Sequence, residues 1–130
     1  MLVRGLDHLQ IAIPRGGEQQ AREFYVALLG FVETRKPRAL SARGGLWLVG
    51  PGLHLHLGVE DPFLPARKAH LALLVDDIGT ARGVLRAGDV EMADDDADIG
   101  VARFYAHDPF GNRLEFVSVK DEGFTTRLTG

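Results

Sequence analysis

From Leu6 to Ile13 the chain reads LDHLQIAI, with Leu9, Ile11 and Ile13 on one side and His8, Gln10 and Ala12 on the other. This period of two predicts a strand. After PRGG, the segment EQQAREFYVALLG places Ala21, Phe24, Tyr25 and Leu28 at helical spacing, and Gly30 stands where a glycine would close the helix. FVETR and, past Pro37, RALSARGGLWLVG suit a pair of antiparallel strands. The Pro51-Gly52 turn then leads into a further strand, LHLHLGV. The polar loop EDPFLPARK follows, and the order begins again. AHLALLVDD predicts a strand, IGTARGVLRAG a short helix ending in glycine, DVEM a strand start and DDDAD an acidic loop. VARFYAHD predicts a strand, PFGN a turn and RLEFVSV the last strand.

The order βαβββ therefore occurs twice, and the repeat is visible residue by residue. HLQIAIP resembles HLALLVD with His8 opposite His70, and PGLHLHLGV aligns with FGNRLEFVSV, setting Gly52 opposite Gly111 and His56 opposite Glu115. Leu53, Leu55 and Leu57 share a face, so His54 and His56 share the other. Likewise Leu71, Leu73 and Val75 oppose His70, while Leu114 and Phe116 oppose Arg113 and Glu115. The leucine-rich faces are expected to pack on the helices. His8, His56, His70 and Glu115 would then line what the two sheets enclose.

Three imidazoles and a carboxylate on four strands match the donor set of divalent transition metals: Zn, Ni, Co, Fe or Mn. A lone histidine in a strand is ordinarily a hydrogen-bonded residue without metal. Here the four occupy corresponding places in a repeat, and one site accounts for all of them. His54 lies about 7 Å from His56 along the same strand face, a candidate to contact substrate, to support the ligands or simply to line the space. Arg103, Tyr105 and His107 alternate with Ala102, Phe104 and Ala106, so Arg103 and Tyr105, with Arg113, are candidate contacts for an anionic, oxygen-rich substrate. Arg67 and Lys68, just before His70, add positive charge.

Composition narrows the choice. The chain has 130 residues, 45% hydrophobic and 25% charged, as expected of an ordinary globular domain, and it has no cysteine. Disulfides, thiolate metal sites and thiol nucleophiles are thereby excluded. The net charge of -3 supplies no basic field for a phosphate backbone, so nucleic acid is not an expected partner. No apolar run approaches membrane-spanning length, and a cytoplasmic protein without a membrane partner is expected. The acidic run Asp94 to Asp98 lacks the spaced ligands, glycine and terminal glutamate of a calcium-binding EF-hand. The glycines of PRGG and ARGG have no phosphate-loop context, and Ser41 and Ser118 have no nucleophile-elbow context. Trp47 is expected in the core or a pocket wall.

LDHLQIAI, LHLHLG, KAHLALLVDD and DPFGNRLEFV together resemble the vicinal oxygen chelate superfamily of glyoxalases, extradiol dioxygenases, fosfomycin-resistance thiol transferases and metal-free bleomycin-binding proteins. The resemblance covers about 6–119, and DPFGNRLEF is its most specific piece. It implies an α+β fold in which two paired βαβββ modules, about 6–58 and 69–119, form a curled, partly closed mixed sheet with helices outside. The whole chain would then be one such domain with a tail at 120–130. It also implies one divalent metal held by His8, His70, Glu115 and, on the fourth strand, His56, where bacterial-type glyoxalase I has glutamate and the epimerase of the family glutamine. That departure speaks against glyoxalase I itself.

The activity implied is that of a small-molecule metalloenzyme, a lyase, isomerase or dioxygenase. The ion would chelate two substrate oxygens and stabilise an enolate or oxyanion, with His56 and Glu115 as the catalytic pair. Iron with oxygen chemistry remains open, since two histidines and a carboxylate form a facial triad, although the short chain suits the glyoxalase-like or thiol-transferase branches better. The alternative is a metal-free ligand-binding protein of the bleomycin-resistance type. A homodimer is expected, with modules paired within a chain or exchanged between two.

Overall fold

The computed structural model describes residues 1–94 and 102–119; most of the acidic run and the tail at 120–130 lie outside the described residues. The chain divides into two compact units that meet between Pro65 and Ala66.

The first unit runs β1 (Leu9–Ile13), α1 (Glu18–Ala21) continuing into a π-helical stretch (Arg22–Leu28), β2 (Val32–Thr34), α2 (Arg38–Ser41), β3 (Leu46–Gly50) and β4 (Leu53–Val59). Its four strands form a mixed sheet in the order β1-β4-β3-β2, with β1 parallel to β4 and the other pairs antiparallel. The second unit runs β5 (Leu71–Val75), α3 (Ile78–Ala87), β6 (Met92–Ala93), β7 (Arg103–His107) and β8 (Arg113–Ser118). Its order is β5-β8-β7-β6, with the same directions. The fold is α+β, and the predicted duplication is present at the level of register: Leu9 pairs with Leu55 in one sheet, Leu71 with Leu114 in the other.

Alternation decides which faces are buried. In the first unit Ile13, Leu46, Leu48, Leu55 and Leu57 are buried together with Ala21, Phe24 and Tyr25 of the helix. In the second, Leu71, Leu114 and Phe116 are buried with Leu85 of α3, which packs on β8. Asp77 caps α3, its carboxylate accepting from the Thr80 amide at 2.8 Å, and Gly88 closes the helix.

Two expectations needed revision. The first helix is α-helical for only one turn and then widens, with the Leu29 amide donating to the Phe24 carbonyl at 2.9 Å. The wider turn lets the sequence neighbours Phe24 and Tyr25 both reach the buried side, which 3.6-residue spacing resists. Residues 38–41, expected in a strand, form a helical turn instead. Pro37, at φ -55° and ψ 141°, leads directly into it, and Ser41 Oγ donates to the Arg38 carbonyl at 2.8 Å. The strand resumes only after Gly44 and Gly45, both at positive φ. At Gly45 a Cβ would lie 2.1 Å from the Leu57 carbonyl oxygen, so this segment lies directly against β4.

Candidate functional site

His8 precedes β1 and His70 precedes β5, each one residue before the first paired position of its sheet. His56 pairs with Gln10 on one side and Trp47 on the other. Glu115 pairs with Ala72 and Tyr105 at the equivalent points. The backbone thus carries the four expected metal donors at matching positions, two in each unit.

In the first unit the donors are aromatic and stacked. The His56 ring lies 4.1 Å from the His8 ring, inclined by 18°, and 4.1 Å from the Trp47 ring, inclined by 7°. Burial between these rings, and then the neighbouring His8, lower the His56 pKa below its ordinary 6.5, so its imidazole is held neutral. His8 Nδ1 donates to Asp7 Oδ2 at 2.8 Å, which leaves Nε2 with its lone pair. The same contact holds the exposed Asp7 carboxyl below the usual carboxylate range. His54 is exposed on the same strand, on the face opposite Leu55. A metal binds a ring nitrogen along its in-plane lone pair, so an ion shared by two rings lies near both planes. Stacked rings share no such nearby point, and joint ligation by His8 and His56 requires one ring to turn out of the stack.

In the second unit the corresponding residues are cross-bonded to each other and to their neighbours. His70 Nδ1 donates to the Lys68 carbonyl at 2.9 Å, and His70 Nε2 faces Glu115 Oε1 at 2.9 Å. Glu115 is buried, and its other oxygen accepts from Arg103 at 3.4 Å. Arg103 also donates to the Tyr105 hydroxyl at 2.7 Å. The Arg113 guanidinium sits 3.8 Å from the centre of the Tyr105 ring, a cation–π contact. Of the four expected substrate contacts, Arg103 and Tyr105 are therefore bound into the surroundings of Glu115. Arg113 covers the Tyr105 ring, and His54 stands apart in the other unit. His107 lies at the end of β7, paired in register with Arg113. Among the described residues, neither unit gathers three or more histidine, aspartate or glutamate side chains into a metal-sized cluster.

Several residues of the first unit matter that sequence reading left aside. Asp7, His8, Gln10, Trp47, His54 and His56 line one cleft of about 520 Å³. Leu40, Leu48, Leu57 and Val59 form its apolar wall, and Lys36 and Arg43 also line it. Asp7 was signalled by its place beside a histidine. Nothing in the alternation pointed to Lys36 or Arg43, because they lie on an irregular connection.

A duplicated βαβββ module with a histidine ahead of each first strand is the build of the vicinal oxygen chelate class. The chain belongs to the Glyoxalase/Bleomycin resistance protein/Dioxygenase superfamily, whose family model matches residues 5–116. It is similar to Glyoxylase I 4 of Arabidopsis thaliana, 27% identical over 107 residues that make up 74% of this chain, and it spans 61% of the length of that curated relative. Among solved structures, a glyoxalase family protein from Bacillus anthracis is 42% identical, with a TM-score of 0.85 over 91% of this chain and 97% of that one. A variant of FosX, the fosfomycin resistance protein of Listeria monocytogenes, solved with Mn(II) and 1S,2S-dihydroxypropylphosphonic acid, is 14% identical. Its TM-score is 0.78 over 93% of this chain and 98% of that one, a likeness of fold. Among the described residues no helix is long and apolar enough to cross a membrane.

Proposed function

We propose that this protein is a divalent-metal-dependent enzyme acting on a small molecule through two neighbouring oxygens, with His8, His56, His70 and Glu115 holding one ion. The pairs are contributed by one chain or by two copies of it. The observation that carries this reading is the meeting of His70 and Glu115. Since the Lys68 carbonyl only accepts, Nδ1 keeps its proton, and in the neutral ring Nε2 turns a lone pair toward a carboxylate oxygen at 2.9 Å. Two acceptors at that distance need positive charge, either a proton on Nε2 or a cation bound by both. Ligands about 2.1 Å from an ion and at right angles to each other are roughly 3 Å apart, so this pair is already spaced for two adjacent coordination positions.

The remaining residues fit the same reading. Asp7 fixes the His8 tautomer that exposes Nε2, as a carboxylate behind a metal-binding histidine does. Arg103, which also donates to the Tyr105 hydroxyl, holds Glu115 from the other side, and Arg103, Tyr105, His54 and Arg113 are the proposed substrate contacts. His56 and Glu115 are the proposed catalytic pair: His56, kept neutral by burial, has one lone pair, which serves the ion while it is a ligand and a substrate proton only once it is released from the ion. A divalent cation there supplies Lewis acidity that favours negative charge on two substrate oxygens. FosX, crystallised with Mn(II) and a dihydroxyphosphonic acid, is a fold relative whose ligands have this chemistry. Lyase, isomerase and dioxygenase reactions remain within the proposal, as do Zn, Ni, Co, Fe and Mn.

Metal analysis of protein made without a histidine tag in metal-supplemented medium, then dialysed extensively, should find about one divalent ion per site, lost as pH falls through the histidine range near 6.5. Protein without stoichiometric metal would sink the enzyme reading and leave the metal-free ligand-binding alternative. The proposal includes a homodimer, which covers open sheet edges. Sedimentation of a 14.2 kDa monomer with metal bound would remove it.

A further inference from the structure

The connection between β2 and β3, residues 35–45, carries Arg35, Lys36, Arg38 and Arg43 and no acidic residue. Two of these cations, Lys36 and Arg43, line the cleft beside the His56 stack. Neither is neutralised among the described residues. The Lys36 ammonium donates to the Gly44 carbonyl, a neutral dipole, and the exposed Arg43 side chain has no ion pair. Among the described residues the one carboxylate lining the cleft, Asp7, is engaged by His8. Gly45 passes so close to the Leu57 carbonyl, one residue from His56, that a Cβ there would lie 2.1 Å from its oxygen. The same lining offers the apolar surfaces of Leu40, Val59 and the Trp47 ring alongside the polar Gln10, Thr34, His54 and His56.

We propose that this cleft binds an organic acid, its acidic group held by Lys36 and Arg43 and its apolar body lying along Trp47, Leu40 and Val59. The inference deepens the enzyme reading, on which it rests for calling the ligand a substrate, by naming the charge at the far end from the reacting oxygens. The volume of about 520 Å³ falls within the range of small-molecule sites, well above what a two-carbon acid fills. A planar, permanently charged guanidinium and a mobile ammonium together suit a carboxylate or a phosphonate.

Trp47 is the sole tryptophan, so its fluorescence reports directly on the cleft. Metal-free protein in chelator should be titrated with phenylacetate, benzylphosphonate and the neutral phenylacetamide. At least one of the acids is expected to bind about tenfold or more tightly than the amide. Lys36→Gln and Arg43→Gln should each remove most of that preference while leaving amide binding unchanged. Arg43→Gln touches no internal hydrogen bond, so it remains informative should Lys36→Gln disturb the loop. The tighter of the two acids identifies the acidic group. Equal binding of acid and amide, no binding by any probe, or a preference that survives both substitutions would overturn the proposal. Because no metal is present, failure here leaves the metal reading standing, and absence of metal binding leaves this result untouched.

Discussion

The two modules share a backbone plan and differ in what they hang on it. At the central paired position the first places His56 between the rings of Trp47 and His8, and the second places Glu115 between His70 and Arg103. Trp47 and Tyr105 occupy the same register beside them. One half is a stack of aromatic rings, the other a hydrogen-bonded network around buried Glu115. The connections differ as sharply: the link between β2 and β3 is basic, whereas its counterpart before β7 begins with the acidic run Asp94 to Asp98. Duplication conserves strand pairing because backbone hydrogen bonds do not depend on side-chain identity. It leaves the side chains at equivalent positions free to take different chemistry in each half.

The turns show the same divergence and provide the largest expected effects. Gly45, at φ +82°, leaves no room for a Cβ against the Leu57 carbonyl, so Gly45→Ala should destabilise the first module by about 3 kcal/mol or more in thermal or denaturant unfolding. A loss under about 1 kcal/mol would show that this close approach is not rigid. In the second module the turn before β8 relies on side chains. Buried Asp108 accepts from the Phe110 amide, the Asn112 amide and Asn112 Nδ2, each at 2.9 Å, and Asn112 Oδ1 accepts from the Ala66 amide at 2.9 Å. Asp108→Ala should cost about 2–4 kcal/mol by leaving those donors unpaired. No such network spans the Pro51-Gly52 turn between β3 and β4 among the described residues, so Pro51→Ala should cost well under about 1 kcal/mol.

Metal affinity sharpens the contrast between the halves. On the proposed metal reading, Glu115→Ala should weaken binding by roughly 100-fold or more, because it removes the carboxylate from the ligand set. His56→Ala should cost closer to about tenfold, because His56 must leave its stack to join His8 on one ion. Calorimetric titration of both variants with Mn(II) or Zn(II) checks the order. Equal losses would mean that the stack opens without cost.

The smallest effect is a pH dependence. The His56 pKa is depressed in the folded protein relative to its ordinary 6.5, so between those two values the unfolded chain binds more protons. The neutral ring's contribution to stability is therefore complete above about pH 6.5 and is lost as pH falls through the lower, folded value. Melting curves of metal-free protein from about pH 7.5 to about 5.5 should fall more steeply for the wild type than for His56→Phe. Parallel curves would remove burial as the cause.

The alternating strands, the helix with its glycine stop at Gly88, the duplicated order and the offsets linking His8 to His70 and His56 to Glu115 were all legible along the chain. Period-two alternation and turn residues are local properties, and they decide which face of each strand is buried before any strand finds its neighbour. The sequence by itself therefore determined the repeated element order, the alternation of each strand and the matching places of His8 with His70 and of His56 with Glu115. Tertiary structure alone decided what surrounds each donor. Pairing set Trp47 against His56, and Tyr105 and Arg103 beside Glu115, because cross-strand neighbours are remote in sequence and become adjacent only once register is formed. It turned residues 38–41 into a helical turn and widened the first helix, since packing of Phe24 and Tyr25 outweighs local preference. Lys36 and Arg43 line the cleft for the same reason: an irregular segment has no period from which the direction of a side chain can be read, and its course is set by the close contact of Gly45 with β4.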